Sequence, residues 1–403
     1  MSRGLGWFAA LVSLGAAITG CQERLTAPAE CPELCPGGES QVFDTVLTSL
    51  SNSDSSFSGY VGRTSAGAML VSNGLPASED RAVYRFNARA DSVPVNDTLR
   101  PFVVDSARLT LNLIARDTLL GGLKLYLYRI DPAVDSTATF ESTTLQMVPA
   151  AIIDSIEVPD TLDSGALETV LRGADLAKVA LPPETGGVLA MGVAMAADQP
   201  SGVRLGASAS STGAAFISYV TADVADTADR RQIVTRDAVF NMTVTRTPRV
   251  PDPAFLAVGG EPSSRALVRF DLPEPIEDSA TIVRATLELL PRSPLLGLST
   301  DPPVLQAKAV IADLGAKSPV TQDQRFIATG ALTLGTADTV RLDVTALVRA
   351  WQTSSQPPEA IFLSLVPEAA SFSRPEFGST RSGTVGGPRL RVTYLRPFPF
   401  EKP

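Results

Sequence analysis

The heptapeptide Arg265-Ala266-Leu267-Val268-Arg269-Phe270-Asp271 decides the fold class, because apolar residues recur in it at every second position. In an extended strand, successive side chains point to opposite faces of the sheet. Ala266, Val268 and Phe270 therefore share one face, and the charged residues share the other. This spacing predicts a strand that is half buried against a core. Similar short runs of Val, Leu and Ile recur along the chain, so we expect an all-β protein.

The same pattern occurs earlier in the chain, which indicates an internal repeat. Three elements recur in the same order: residues 81–87 and 265–271, residues 107–111 and 285–289, and residues 169–170 and 339–340. A repeated order of matching elements is the signature of repeated structural units. We therefore predict two tandem β-sandwich modules, at residues 42–250 and 251–396, joined by a stiff proline-rich hinge at residues 248–253.

One helix is predicted between these strands, in the run from Asp343 to Trp351. Apolar residues at positions 344, 347, 348 and 351 have the spacing of one helix face, and Asp343 is placed to cap the first turn. Trp351 is expected to fill the core, and the alternative is a platform for stacking sugars. The matching stretch of the first module, residues 173–181, keeps Leu181 but has lost most of this apolar face, so that module is expected to be divergent.

The N-terminus has the pattern of a secretory signal peptide at residues 1–20. A start containing Arg3 is followed by an apolar run from Leu5 to Ile18, and small residues precede Cys21. A helix that crosses a bilayer needs about 20 apolar residues, and this run has about 14, so a permanent membrane span is disfavoured.

The sequence Ile18-Thr19-Gly20-Cys21 resembles the lipobox of bacterial lipoproteins. The resemblance implies that diacylglycerol is attached to the Cys21 thiol and that this residue begins the mature chain. Two or more acyl chains would give stable membrane anchoring. Because Gln22 stands where some bacteria place an inner-membrane retention Asp, we expect an extracytoplasmic protein of the outer membrane or cell surface. The alternative is an ordinary secretory signal without lipid.

Cys31 and Cys35 remain as a pair if Cys21 is acylated. An oxidising compartment favours a small disulfide loop between them, and free thiols are the alternative. A metal site is less favoured, since two ligands do not complete the four that zinc prefers. Residues 21–41 are rich in Pro, Glu, Gly and Ala and predict a flexible tether. Residues 397–403 are expected to form a C-terminal tail.

Composition excludes several classes of chemistry. The chain has no histidine, so Ser-His-Asp and Cys-His nucleophile pairs and histidine metal sites cannot form. It also lacks phosphate-binding glycine-loop and EF-hand motifs. After removal of residues 1–20, 33 basic and 43 acidic side chains leave a formal charge of −10, which argues against nucleic acid as a partner.

Two charged clusters each have a structural and a functional interpretation. Asp154, Glu157, Asp160 and Asp163 lie among Ser, Thr, Pro and Gly, which favours a solvated loop, and a structural Ca²⁺ site is the alternative. A second cluster near the C-terminus contains Arg381, Arg389, Arg391 and Arg396. A solvated strand face is favoured there over a basic binding patch.

Six segments of the second module follow one another in a distinctive order: residues 255–260, 264–272, 285–289, 343–351, 372–376 and 388–394. The first three resemble the first half of the DNRLRE domain of secreted bacterial proteins, and the last three resemble its closing half. The resemblance implies a jelly-roll-like β-sandwich related to carbohydrate-binding modules, some of which recognise uronic-acid polymers. No ligand-binding residue is carried over from it.

These patterns predict a lipid-anchored, non-catalytic envelope protein whose modules bind a polysaccharide or another envelope or extracellular partner. The alternative is a structural or spacer lipoprotein without a specific ligand. A hydrolase or lyase that uses paired carboxylates is the third hypothesis, but no pair can be identified from the sequence. No cofactor is expected apart from the Ca²⁺ considered above.

Overall fold

The computed structural model describes residues 42–51, 53–59, 61–75, 78–179, 187–224, 230–246, 252–298, 300, 302–313, 321–353 and 357–396. The predicted signal peptide, the predicted tether with Cys21, Cys31 and Cys35, Leu181 and the predicted C-terminal tail lie outside these residues, as does most of the predicted hinge.

Antiparallel strands make up most of the regular structure. From the first half of the chain they are β1 Val42–Thr48, β2 Ser55–Ser58, β3 Ala68–Asn73, β4 Asp80–Phe86, β5 Ser92–Val95, β6 Thr98–Arg116, β7 Lys124–Ile130, β8 Ile152–Glu157, β9 Gly165–Leu171, β10 Leu189–Ala196 and β11 Ser201–Gly206. From the second half they are β12 Ala215–Ala222, β13 Arg231–Thr245, β14 Phe255–Ala257, β15 Ser264–Arg269, β16 Thr281–Leu289, β17 Val304–Ala312, β18 Thr321–Ala331, β19 Val340–Asp343, β20 Ala360–Val366, β21 Glu376–Gly378 and β22 Arg389–Leu395.

The α-helices in the described residues are short: α1 Phe140–Thr144, α2 Gly173–Val179, α3 Glu274–Glu277 and α4 Thr345–Trp351. Isolated helices of this length are not stable in water, so their stability comes from packing on the sheets. The predicted all-β, sandwich-like fold class is confirmed.

The first sandwich is built from β3 to β13. One layer has the order β9-β6-β12-β13 and the other has the order β13-β4-β10-β7-β8, so the long strand β13 belongs to both layers. Alternate residues of facing strands, such as Tyr84, Leu111 and Met191, pack between the layers and are fully or almost fully buried.

The second sandwich has a four-stranded sheet, β1-β22-β16-β19, and a five-stranded sheet, β18-β17-β20-β15-β2. Its core contains Val268 from β15, Leu287 from β16 and Leu363 from β20, all buried. The helix α4 closes the core with Trp351, which is 1% exposed and lies 6.4 Å from the Phe270 ring centroid. Asp343 precedes the helix and accepts hydrogen bonds from the Thr345 backbone N–H and hydroxyl at 3.0 and 2.6 Å.

The two strands that begin the described chain correct the predicted division at residue 42. β1 pairs with β22 along its whole length, and β2 pairs with β15, so residues 42–58 belong to the second sandwich. Phe43 and Leu47 of β1 pack against the second core, and the Phe43 ring stacks on Tyr394 with centroids 5.6 Å apart. The alternating pattern identifies a strand, but it does not encode which sheet the strand joins.

The order of strands shows how the two sandwiches correspond. The rows β9-β6-β12 and β8-β7-β10-β4 of the first sandwich have counterparts in β19-β16-β22 and β18-β17-β20-β15 of the second. The predicted repeat elements occupy matching places in these rows. The position of β13 in the first sandwich is filled in the second by β1 and β2, which come from the opposite end of the chain.

No helix among the described residues is long and apolar enough to span a bilayer.

Candidate ligand-binding cleft

A cleft of about 700 Å³ lies between the two sandwiches. Ligand pockets of roughly 300–1,000 Å³ occur preferentially at such interfaces. One wall comes from the ends of β3, β4 and β13, and the other comes from the turn after β14 and the segments that flank β16 and β21. The acidic side chains along it are Glu79, Asp80, Glu261 and Glu376.

The turn that follows β14 holds Glu261 at the cleft. Gly259 N–H donates to Ser264 O at 2.7 Å, and Ser264 N–H donates back to Gly259 O at 2.9 Å, which closes the turn. Gly259 and Gly260 both have φ of +78°, a conformation that glycine adopts without strain. A Cβ atom on Gly259 would also lie 2.2 Å from Leu365 Cδ1. Glycine is therefore required at residue 259 for two reasons: the backbone has a positive φ, and Leu365 leaves no room for a side chain.

Glu261 is the unsatisfied group of the cleft. Glu261 is only 6% exposed, and neither of its carboxyl oxygens has a hydrogen-bond partner among the described residues. Burial raises the pKa of Glu261 to about 8, while nearby Arg63 opposes that rise and Asp80 adds to it. The carboxyl is therefore largely protonated at neutral pH and can both donate and accept a hydrogen bond.

Asp80 lies on the opposite wall and is fully satisfied, in contrast to Glu261. The hydroxyls of Ser72 and Ser78 both donate to Asp80 Oδ2 at 2.8 Å, and the Thr245 hydroxyl donates to Oδ1 at 2.7 Å. Burial raises the pKa of Asp80, and these hydroxyl hydrogen bonds oppose the shift. Because Asp80 ties β3, β4 and β13 together, its role is structural.

The arginines that line the cleft are engaged within the chain. Arg246 forms an ion pair with Glu79. Arg292 Nη1 lies 3.0 Å from Glu376 Oε2, and the Arg292 guanidinium stacks 4.1 Å above the centroid of the Phe255 ring. Arg374 also interacts with another group of the chain. An anionic ligand would therefore have to displace internal partners before it could bind these cations.

Apolar contacts join the sandwiches beside the cleft. Phe372 of the second sandwich packs with Leu70 of β3 and with Leu298, and it is 5% exposed. Its ring lies so close to Gly202 of β11 that a Cβ there would come within 2.7 Å of it. Ala369, from the same segment as Phe372, is buried in the core of the first sandwich. These contacts fix the two walls relative to each other.

The residues singled out from the sequence do not come together at this cleft. Trp351 is buried in the second core, which agrees with the packing interpretation and excludes an exposed stacking platform. Its indole N–H has no hydrogen-bond partner in the described residues. The cysteines Cys21, Cys31 and Cys35 lie outside the described residues.

The acidic cluster is only partly a loop, which corrects that prediction. Asp154 and Glu157 lie on β8, and Asp154 accepts a hydrogen bond from the Thr169 hydroxyl of β9. Asp160 and Asp163 follow the strand, and Asp160 lies 3.7 Å from the buried Arg116 guanidinium. Across the part of the chain that the structure describes, no group of three or more acidic, cysteine or histidine side chains is arranged to hold a metal ion.

The C-terminal arginines also differ from one another. Arg389 and Arg391 lie on the exposed face of β22, as predicted, and Arg391 is paired with Asp44 of β1 at 2.8 Å. Arg381 instead lies in a turn, where its guanidinium donates to the Pro253 carbonyl at 2.8 Å, and Arg396 stacks on Phe43. Arg381, Arg391 and Arg396 are therefore each used by a different local contact.

Sequence reasoning missed Asp80 and Glu261. Asp80 stands directly before one predicted repeat strand, and Glu261 follows the Gly259-Gly260 pair that the family resemblance includes. A charged residue directly after two glycines was the available signal for Glu261, but the residues of the opposite wall of the cleft lie far away in sequence.

A scan against protein-family models finds no match for this chain, and a search of curated proteins finds no similar sequence.

Proposed function

We propose that this chain is a lipid-anchored, non-catalytic protein of the bacterial cell envelope that binds a polysaccharide or another envelope partner in the cleft between its two sandwiches. The observation that carries the proposal is the cleft itself, about 700 Å³ in volume, with polar groups set among apolar ones. This combination is typical of sites that bind small molecules or segments of polymers.

The composition of the cleft supports a sugar-like ligand. Leu70, Leu295 and Phe372 contribute apolar surface, while Glu261 contributes a hydrogen-bonding group without an internal partner. A saccharide presents both kinds of surface, since its ring carries C–H faces as well as hydroxyl edges. The cleft therefore offers surfaces that suit a saccharide, although it has no exposed tryptophan among its described residues.

The resemblance to the DNRLRE domain supports the same proposal. Two of the segments that carry it, residues 255–260 and residues 372–376, supply Gly260, Phe372 and Arg374 to the cleft wall. A jelly-roll-like module of this kind is related to carbohydrate-binding modules. Here the proposed ligand lies between two sandwiches and not on the face of one sheet.

A binding role is favoured over catalysis because three of the four acids in the cleft are held by partners within the chain. Asp80 is held by three hydroxyl donors, and Glu79 and Glu376 are held by arginines. Histidine, the commonest general base, is absent from the chain. Release of reducing ends from any polysaccharide incubated with the purified protein would contradict this part of the proposal.

Binding is tested with the purified full-length protein on a glycan array, together with affinity capture from envelope extracts. We expect retention of at least one polysaccharide or envelope component. A variant with Phe372→Ala should lose that retention, because Phe372 fixes the two walls of the cleft. Signals that stay at background in both assays would overturn the binding role.

The anchor is supported by the signal-like N-terminus and by Cys21 in the lipobox-like sequence. Metabolic labelling with a fatty acid should mark the wild-type chain and not a Cys21→Ala variant. Protease added to intact cells should cleave the labelled protein if it is displayed at the surface. Equal labelling of both chains would rule out a lipid on Cys21.

A spacer role is the second candidate, and the tight joint between the sandwiches favours it. Phe372 and Ala369 fix one sandwich on the other, as a rigid spacer would need. A spacer tolerates exchange of cleft residues such as Glu261 without phenotype, whereas deletion of a whole sandwich is harmful. A binding protein is impaired by both changes.

A further inference from the structure

The acidic side chains of the cleft have partners within the chain, with one exception. Glu79 pairs with Arg246, Glu376 pairs with Arg292, and Asp80 is satisfied by hydroxyls. Glu261 has no hydrogen-bond partner within the described part of the chain. The chemistry that the cleft lacks is therefore a hydrogen-bonding partner for one buried carboxyl, and not a counter-ion for its arginines.

A buried polar group without a partner lowers stability, because it has lost its hydrogen bonds to water. One reason for retaining such a group is that a ligand satisfies it. The turn around Gly259 and Gly260, two glycines with positive φ, holds Glu261 in this position. The local backbone thus places Glu261 in the wall of the cleft, with both carboxyl oxygens buried.

The surroundings of Glu261 indicate what kind of partner fits. Leu295 and Leu296 lie along the same cleft, and Leu296 is 43% exposed. An apolar surface beside a single hydrogen-bonding carboxyl suits a ligand with hydroxyls on one edge and C–H groups on its face. A carboxylate or sulfate on the ligand would meet arginines that already have partners and acids that repel it.

We infer that the cleft binds an uncharged, hydroxyl-rich saccharide unit, with Glu261 turning toward the cleft to exchange hydrogen bonds with the hydroxyls of that unit. This inference rests on the proposed function and narrows its ligand class, because it excludes anionic polymers as the preferred partner. Glu261 is the specificity-determining residue in this arrangement.

The test measures retardation of the full-length protein in gels that contain soluble polysaccharides. The probes are three neutral polymers, dextran, mannan and a mixed-linkage β-glucan, and three anionic polymers, alginate, pectate and heparin. We expect at least one neutral polymer to retard the wild-type protein more strongly than every anionic one. A preference for an anionic polymer would overturn this inference and leave the proposed function standing.

Variants separate a ligand contact from a structural role. Glu261→Leu should weaken binding to the neutral polymer by at least about tenfold, since it leaves ligand hydroxyls unpaired. Its melting temperature should equal or exceed that of the wild type, because the substitution removes an unsatisfied buried acid. Glu261→Gln keeps hydrogen-bonding capacity and should retain most of the affinity.

Glu157→Gln serves as the matched control, since Glu157 is exposed on β8 of the first sandwich and does not line the cleft. Its affinity should equal that of the wild type. Neutral-polymer binding that is unchanged in Glu261→Leu would overturn the role of Glu261. If no polymer of either class retards the wild-type protein, both the inference and the proposed polysaccharide ligand are wrong.

Discussion

The two sandwiches have matching strand orders, but the strands that complete each sandwich come from opposite sides of it in the sequence. In the first sandwich, β13 follows the other strands and joins both layers. In the second, the same position is filled by β1 and β2, which precede the whole first sandwich. A sandwich therefore needs a strand at this position, but it does not need that strand to be continuous in sequence with its neighbours.

This difference has a consequence for the proposed anchor. The predicted tether ends at residue 41, and β1 begins at Val42 within the second sandwich. If Cys21 carries the lipid, the C-terminal sandwich is the one attached directly to the membrane. In chain order, the first sandwich is inserted between β1 and β2, which close the second sandwich, and the other strands of the second sandwich.

Deletion of residues 42–58 should have the largest effect on this comparison. The second sandwich would lose both closing strands and expose its core at Leu390 and Ala266, so we expect it to unfold while the first sandwich remains folded. Limited proteolysis followed by mass spectrometry should show cleavage across residues 251–396. Deletion of residues 23–40 in the predicted tether is the control and should leave both sandwiches resistant. Full resistance of the 42–58 deletion would show that β1 and β2 are dispensable.

Asp54→Ala should be the next most damaging change, because Asp54 joins the segment before β2 to the turn that follows β21. This fully buried carboxylate accepts hydrogen bonds from the Thr380 N–H and hydroxyl, both at 2.7 Å. Loss of a buried charged acceptor costs roughly 2–4 kcal/mol of unfolding free energy. Asp44→Ala, which breaks the exposed Arg391 pair across β1 and β22, should cost less than about 1 kcal/mol. Urea denaturation gives both values, and equal costs would contradict a special role for Asp54.

Gly202→Ala tests the joint between the sandwiches. The added Cβ would lie 2.7 Å from the Phe372 ring, so the joint must shift, at a cost of roughly 1–3 kcal/mol. The control is Gly383→Ala, because a Cβ at Gly383 meets open space and its backbone is not in a positive-φ conformation. Thermal denaturation of the full-length chain should show a lower melting temperature for Gly202→Ala alone. Identical melting temperatures would mean that Phe372 does not constrain the joint.

The pH dependence of stability tests the protonation of the buried Glu261 carboxyl. Folding raises the pKa of Glu261 from 4.5 to about 8, so the folded state binds a proton more tightly than the unfolded state. Its contribution is fully present below pH 4.5 and is lost as the pH rises toward 8, by at most about 1.4 kcal/mol for each pH unit. Glu261→Gln should remove this slope.

Glu359, whose pKa burial raises to about 7, contributes a slope of the same sign in wild type and in Glu261→Gln, and so does Asp80, whose pKa burial also raises. The comparison therefore uses the difference between wild type and Glu261→Gln in urea denaturation at pH 5, 6, 7 and 8. A difference that stays constant across this range would contradict the raised pKa of Glu261.

Much of the fold could be predicted from the sequence, because strand alternation is a local property. The run from Arg265 to Asp271 contains a strand with Ala266 and Val268 in the core, and Trp351 is buried as its helical spacing indicates. Leu267 lies on the opposite face and is also buried, in a small cluster with Val310 and Phe362. One buried face was therefore too simple a description of β15.

The closing strands and the cleft could not be predicted, because both depend on contacts between distant segments. The pairing of Val46 with Arg391 joins opposite ends of the described chain, and nothing in the residues of β1 specifies that partner. Likewise, the cleft sets Asp80 of one sandwich opposite Glu261 of the other. Neither residue belongs to a motif with a fixed spacing, so only the assembled walls show what surrounds them.

Hydrogen–deuterium exchange of the intact, full-length protein tests most directly whether the start of the chain completes the second sandwich. We predict that amides within residues 42–48 are protected and open in the same cooperative unit as those of residues 389–395, since the two strands pair along their length. Rapid exchange in residues 42–48 beside persistent protection in residues 389–395 would contradict this.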